Sequence, residues 1–353
     1  MKRLGIFSLG FFILLSVNAY ATEIPYIEGE NLFNDAVSSI SSGDFTLNPI
    51  KLLELLFLNL TNELKNEAHF ILTIIIIAIL SSITSVLSNA LGEKTSGEAA
   101  FFTVFTLISA LSLKCFSIAL EYTVNVTGLM CDFITKLSPL IMITLAICGK
   151  PASAASFEPV LSGTVYVVSV VIEKALVPLT VFGAVLNVTS NINTSVRIGG
   201  FSRLINSVSK WLMAAIITIF TGVNAIYGLN APVLDAMSAK SIKFAIGSLV
   251  PVVGTFLSDT LETLISGAKI MKNATGTAGI IALIGICAIP VIKIGIIQLM
   301  LRIVGAVCEP VTDIRISNML WAMSRSVTTL FAITIMVAVL FIINIAMIIG
   351  FST

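Results

Sequence analysis

The sequence predicts an all-α, polytopic transmembrane helical bundle of about seven spans with broken or re-entrant segments, preceded by a signal peptide. Three observations carry this prediction. Of the 353 residues, 57% are hydrophobic and 11% are charged, less than half the ~25% charge that a soluble surface uses. The apolar residues come in long unbroken runs, as lipid requires when each helix must satisfy its own backbone N–H and C=O groups. The N-terminus has the order of a targeting segment: Met1-Lys2-Arg3, the apolar stretch Leu4 to Val17, then Ala19-Tyr20-Ala21 as a small-x-small cleavage site. Residues 1–21 are therefore read as a signal peptide, with an uncleaved anchor as the alternative.

Residues 22–67 follow as a non-cytoplasmic segment. Its first part is polar, with Glu23, Glu28, Glu30, Asp35 and Asp44; Pro49 then opens an amphipathic helix over Ile50 to Glu67. The stripe of Leu52, Leu53, Leu55, Leu56, Leu60 and Leu64 is broad, so this helix lies on the membrane, on a partner or on the protein's own bundle.

The polytopic domain is assigned to residues 68–353. Phe70 to Leu87 is its first strong span and Ala99 to Leu120 the second, with Glu121 to Lys136 mixed in character. Leu137 to Cys148 is apolar, short and interrupted by Pro139, and reads as a short span or a re-entrant segment. Gly149-Lys150-Pro151 breaks the chain. Phe157 to Ile172 and Ala175 to Val188, separated by Glu173-Lys174, form a hairpin or one long broken helix. Trp211 to Leu229 is a clear span with aromatic residues near its ends. Ala239 to Gly267 is apolar yet carries Gly247, Pro251, Gly254, Asp259 and Glu262, and reads as a re-entrant or broken helix. Thr277 to Leu301 and Val327 to Ile349 complete the set.

Orientation follows from Lys and Arg. Two positive stretches, Arg197, Arg203 and Lys210, then Arg302, Arg315 and Arg325, are assigned to the cytoplasm, with the C-terminus outside. Lys240, Lys243, Lys269 and Lys272 then lie outside and oppose the rule.

Ionisable groups inside spans are the usual markers of function in such proteins. Lys293 stands in Ile289-Pro290-Val291-Ile292-Lys293, about two turns from Arg302. It lines a pore or pairs with a partner, or else it snorkels to the interface or pairs with an acid on a neighbouring helix. Asp259 and Glu262 are its candidate partners. Lys114 has the same two readings. Gly247, Pro251 and Gly254 suit a gating bend or simple close packing.

Net charge is +1, with no basic stripe, so nucleic acid is not an expected partner; membrane lipid is. The five cysteines and the lone His69 lack metal-ligand spacing, and neither a metal nor a cofactor is expected. No P-loop, H-E-x-x-H or G-x-G-x-x-G occurs, so no catalytic residue is assigned and an enzyme is not expected.

Several short motifs then carry a resemblance: Lys243-Phe244-Ala245-Ile246-Gly247, Val250-Pro251-Val252-Val253-Gly254, Leu257-Ser258-Asp259, Lys272-Asn273-Ala274 with Gly276, Ile289-Pro290-Val291-Ile292-Lys293, and Glu309-Pro310 with Asp313 and Arg315. Together with the signal peptide and polytopic body, they make the chain resemble the stage III sporulation protein AE family, most strongly over about residues 200–350. The resemblance implies a subunit of a channel- or secretion-like complex in the mother-cell membrane surrounding the forespore. It further implies partners among the other stage III sporulation proteins of the same operon, including a cytoplasmic ATPase. The alternative is an autonomous small-solute permease, which would need Lys293 and Asp259 near one cavity; an intramembrane enzyme is a remote third reading.

Overall fold

The computed structural model describes Ile76 and residues 94–192, 199–249 and 254–350. The signal peptide, the amphipathic helix and the span at Phe70 to Leu87 lie outside the described residues. Among those described, the chain is helical apart from short turns. Its elements are α1 (Lys94–Ile147), α2 (Pro151–Val171), a π-helical turn (Ile172–Leu176), α3 (Val177–Ile192), α4 (Gly199–Leu249), α5 (Gly254–Cys308) and α6 (Ile314–Gly350). Among the described residues, five helical units are long and apolar enough to cross a membrane: Phe101–Ile147, Pro151–Ile192, Gly199–Tyr227, Ser266–Cys308 and Ile314–Gly350.

Successive units run in opposite directions around two stacked cores. One core joins the start of α1 to the end of α3, the end of α5 and the start of α6, through Phe105, Phe116, Ala184, Ile297, Leu301 and Met323. The other joins the end of α1 to α2, the middle of α5 and the end of α6, through Ile134, Leu145, Phe157, Leu283 and Phe341. Small residues set the close approaches: Leu137 and Ile345 fill the space over Gly279, and Ile349 fills that over Gly276.

The structure corrects the reading of Leu137 to Cys148 as a separate short or re-entrant segment. It is the end of α1, a continuous helix of 54 residues. The mixed stretch before it contains no proline or glycine pair to end the helix. Pro139 sits inside the helix without ending it, as neighbouring elements permit in membrane helices.

The break at Gly149-Lys150-Pro151 is where the sequence places it. Gly149 adopts φ 78. Its N–H donates to the Ala146 carbonyl at 3.0 Å, and the Lys150 N–H donates to that of Leu145 at 3.2 Å. This pair of bonds is the Schellman arrangement, which requires a left-handed residue at the first position past the helix. Pro151 then starts α2, where its missing N–H costs nothing. Gly149→Val is expected to lower stability by about 1–2 kcal/mol, the cost of a side chain in left-handed backbone, read as a lower thermal midpoint in detergent.

Phe157 to Val188 is one long helical unit with a defect, which decides between the two readings left open. At the defect, the Val177 N–H bonds the Ile172 carbonyl, five residues back. Pro178 follows immediately, and its ring would collide with the carbonyl four residues back in a regular helix. The wider π turn relieves that collision.

Of Ala239 to Gly267, residues 239–249 are the last turns of α4 and residues 254–267 the first turns of α5; residues 250–253, Pro251 among them, lie outside the described residues. The N-terminus of α2 rests on Asp235 of α4, and α4 continues beyond that level for roughly four turns.

Asp313 caps α6. Its backbone carbonyl accepts from Ile316 at 2.9 Å, and its carboxylate accepts from the Arg315 N–H at 2.9 Å. Arg315 also forms an ion pair with this carboxylate at 2.9 Å and lies over the Phe101 ring at 3.6 Å. Hydrogen bonds from the Arg315 side chain hold the Asp313 carboxyl below the usual carboxylate range, against the upward push of burial. A depressed folded-state value stabilises the protein above the unfolded carboxylate range and fades as pH falls through the folded value. Asp313→Ala is therefore expected to cost about 1 kcal/mol at neutral pH, solvent screening keeping it small. The difference from the parent should shrink below about pH 4 in thermal melts at stepped pH.

Candidate functional site: a polar layer inside the bundle

Lys293 lies where the two cores meet. It is 8% exposed. Its Nζ donates to Tyr122 Oη of α1 at 3.1 Å and stands 5.1 Å from the centre of the same ring. One residue on, Thr123 Oγ1 accepts from Thr334 Oγ1 of α6 at 3.4 Å. Three helices thus place polar groups at one depth. Pro290, itself buried, stands one turn before Lys293, and Gly295 two residues after it packs on the Phe331 ring.

This placement is that of a lysine held inside the bundle by a tyrosine of a neighbouring helix, where the sequence led to the expectation of an acid. Its bond runs to Tyr122, and the candidate acids stand elsewhere. Asp259 and Lys293 belong to the same helix, roughly nine turns or about 50 Å apart along its axis, and Glu262 is only one turn closer. One chain therefore does not assemble a cavity from Lys293 and Asp259. Lys243 and Gly247 lie on α4, and Gly254, Asp259 and Glu262 on α5. Their side-chain surroundings lie outside the described residues, as does Pro251.

The remaining polar side chains cross-link helices at successive depths. Asn187 of α3 donates to the Ala322 carbonyl at 3.2 Å and to Ser326 Oγ at 3.0 Å on α6. Its carbonyl oxygen accepts from Ser202 of α4. Asn344 of α6 donates to Thr164 of α2 at 3.2 Å. Asp235 of α4 accepts from the Ala152 N–H at 3.0 Å, the Ser153 N–H at 3.2 Å and the Ser153 hydroxyl. Burial, helped by nearby Lys269 and opposed by Asp235, pulls the Lys150 ammonium below its ordinary range at this end. Lys272, 2% exposed, donates to the Ile349 carbonyl at 3.3 Å, where the end of α6 favours positive charge. At the opposite end Arg302 donates to Ser324 at 3.3 Å and Thr328 at 3.4 Å.

Sequence reasoning missed Tyr122, Asn187, Asp235 and Asn344. Asn187 and Asn344 were legible as amides inside apolar runs, which lipid excludes unless another helix receives them. Tyr122 and Asp235 gave no such signal, because each sits in a stretch of mixed polarity. The two positive stretches fare better. Arg203 and Lys210 near the start of α4 lie at the same end of the bundle as Arg302, Arg315 and Arg325, joined through Asn187 and Ser202. Assigning both to one side of the membrane requires this; Arg197 lies outside the described residues.

No group of His, Cys, Asp or Glu suited to a metal occurs among the described residues. All five cysteines are buried and unpaired with one another.

No solved structure matches the chain. Stage III sporulation protein AE of Bacillus subtilis (strain 168) is 29% identical over 308 residues, which are 87% of this chain and 77% of that protein. The family model for stage III sporulation protein AE matches residues 32–352. The match extends well beyond the C-terminal motifs and takes in every helix described above, so the chain belongs to the stage III sporulation protein AE family.

Proposed function

We propose that this protein is a multi-pass subunit of a channel- or secretion-like complex in the mother-cell membrane surrounding the forespore, and that it catalyses no reaction itself. The observation that carries the reading is family membership across the whole helical body, in a chain with no nucleotide-binding motif. A membrane body of this kind takes its energy from elsewhere, which fits a cytoplasmic ATPase among partners from the same operon. The positive end of the bundle is the side assigned to the cytoplasm and is the natural face for that contact.

The permease alternative loses its expected site, because Lys293 and Asp259 are held apart on one helix. Affinity purification of the full chain from sporulating cells, with mass spectrometry of what co-purifies, tests the reading. Recovery of other stage III sporulation proteins is expected. Recovery of none from the same operon would overturn it.

A further inference from the structure

α1 carries a line of polar residues on its outer side. Lys114, Ser117, Glu121, Asn125, Gly128 and Asp132 are all exposed, and their spacing of three and four keeps them on one helical stripe. Its depth can be read from the neighbouring helices. The Arg302–Ser324 and Lys272–Ile349 hydrogen bonds bound the apolar length of α5 and α6. Counted along α6, they lie roughly 37 Å apart, enough for a hydrocarbon core of about 30 Å. Tyr122 meets Lys293 well inside that interval, and Leu137 meets Gly279 near its far edge. Glu121, Asn125, Gly128 and Asp132 therefore all lie at membrane depth.

Among the described residues, other exposed charges at this depth are Glu173 and Lys174 of the π turn. At this depth α6 turns Ile335 and Val339 outward, as a lipid-facing surface does. Ionised groups at membrane depth face protein or water, not lipid. Neither Glu121 nor Asp132 forms an ion pair among the described residues. The span at Phe70 to Leu87 contains no Lys, Arg, Asp or Glu and cannot neutralise them. A second copy meeting this stripe with the same stripe, about a two-fold axis along the membrane normal, would bring Glu121 to Glu121 and Asp132 to Asp132. Like carboxylates at one depth repel unless water separates them. Counting back from the shared turn at Gly149, the exposed Glu173 and Lys174 of the π turn stand at the depth of Asn125.

We infer that the outer stripe of α1 lines an aqueous path through the membrane, for water and small hydrophilic solutes. This deepens the proposed channel role and rests on it.

Cysteine labelling of the full chain in membrane vesicles tests it, using a charged, membrane-impermeant thiosulfonate. Asn125→Cys and Gly128→Cys probe the stripe, and a side chain at 128 meets no neighbour within 4 Å, so the second variant covers a folding failure of the first. Ile335→Cys and Val339→Cys are the lipid-facing controls, and the native cysteines are buried. Because only the thiolate reacts and it forms in water, the stripe positions are expected to label at least about tenfold faster than the controls. Labelling no faster than the controls, or protection of both stripe positions by another segment or copy, overturns the inference. If operon partners co-purify while the stripe is protected, the path fails and the subunit reading stands. If the stripe labels but no partner is recovered, the subunit reading fails and the path stands.

Discussion

Lys293→Met is expected to leave the protein folded and to abolish sporulation. Lys293 is almost wholly buried, and replacing a buried charge by an apolar side chain of similar volume is often neutral or stabilising. Stability alone therefore gives no reason for a lysine at this depth. The complementary change, Tyr122→Phe, removes the hydroxyl that accepts from Lys293 Nζ and leaves the ammonium in place. It is expected to cost about 1.5–3 kcal/mol, the range for a hydrogen bond to a charged group. Thermal midpoints in detergent and heat-resistant spore counts from complemented cells separate the two effects. If Lys293→Met sporulates normally, the buried lysine has no functional part and the candidate site moves elsewhere. If it fails to fold, Lys293 is a structural tie.

Asp235→Ala should be the most destabilising single change among the polar ties. The carboxylate is 4% exposed and accepts two backbone N–H groups and a hydroxyl at the start of α2. Its loss leaves those donors buried, next to a helix N-terminus that favours negative charge. The expected cost is about 3–5 kcal/mol, from a lost cap and two or more unsatisfied donors. Asp235→Asn keeps an acceptor oxygen and should restore roughly half of it. Chemical denaturation in detergent reads both variants. Equal losses for Ala and Asn would show that charge, and not hydrogen bonding, holds this end of α2.

The two changes differ in what sequence reasoning could see. Lys293 is conspicuous because it stands in an otherwise apolar run, and lipid makes any such charge exceptional. Asp235 sits among Ala231, Pro232 and Ser238, where an acid is unremarkable. Its importance comes from the tertiary arrangement, which brings α4 against the start of α2. Pairing is likewise invisible in one sequence. Asp259 and Glu262 were reasonable candidates for Lys293 by charge, yet a continuous α5 keeps them far along the same axis. Tyr122, on a helix 171 residues away in sequence, accepts a hydrogen bond from Lys293.

The all-helical membrane character, the break at Gly149 and a break at Glu173-Lys174 within Phe157 to Val188 are legible in the sequence alone. Each follows from local rules: apolar run length, left-handed glycine, and a proline's missing N–H and ring. The sequence also determined the family, because the motifs lie in the chain as read. The tertiary structure decided which helices run on unbroken, as α1 does through Pro139, and which polar groups meet. Helix continuity at a proline depends on neighbours that satisfy the freed backbone, and a polar side chain inside an apolar run is stable only where another helix receives it. Both conditions are set by packing between distant segments, which local sequence does not encode.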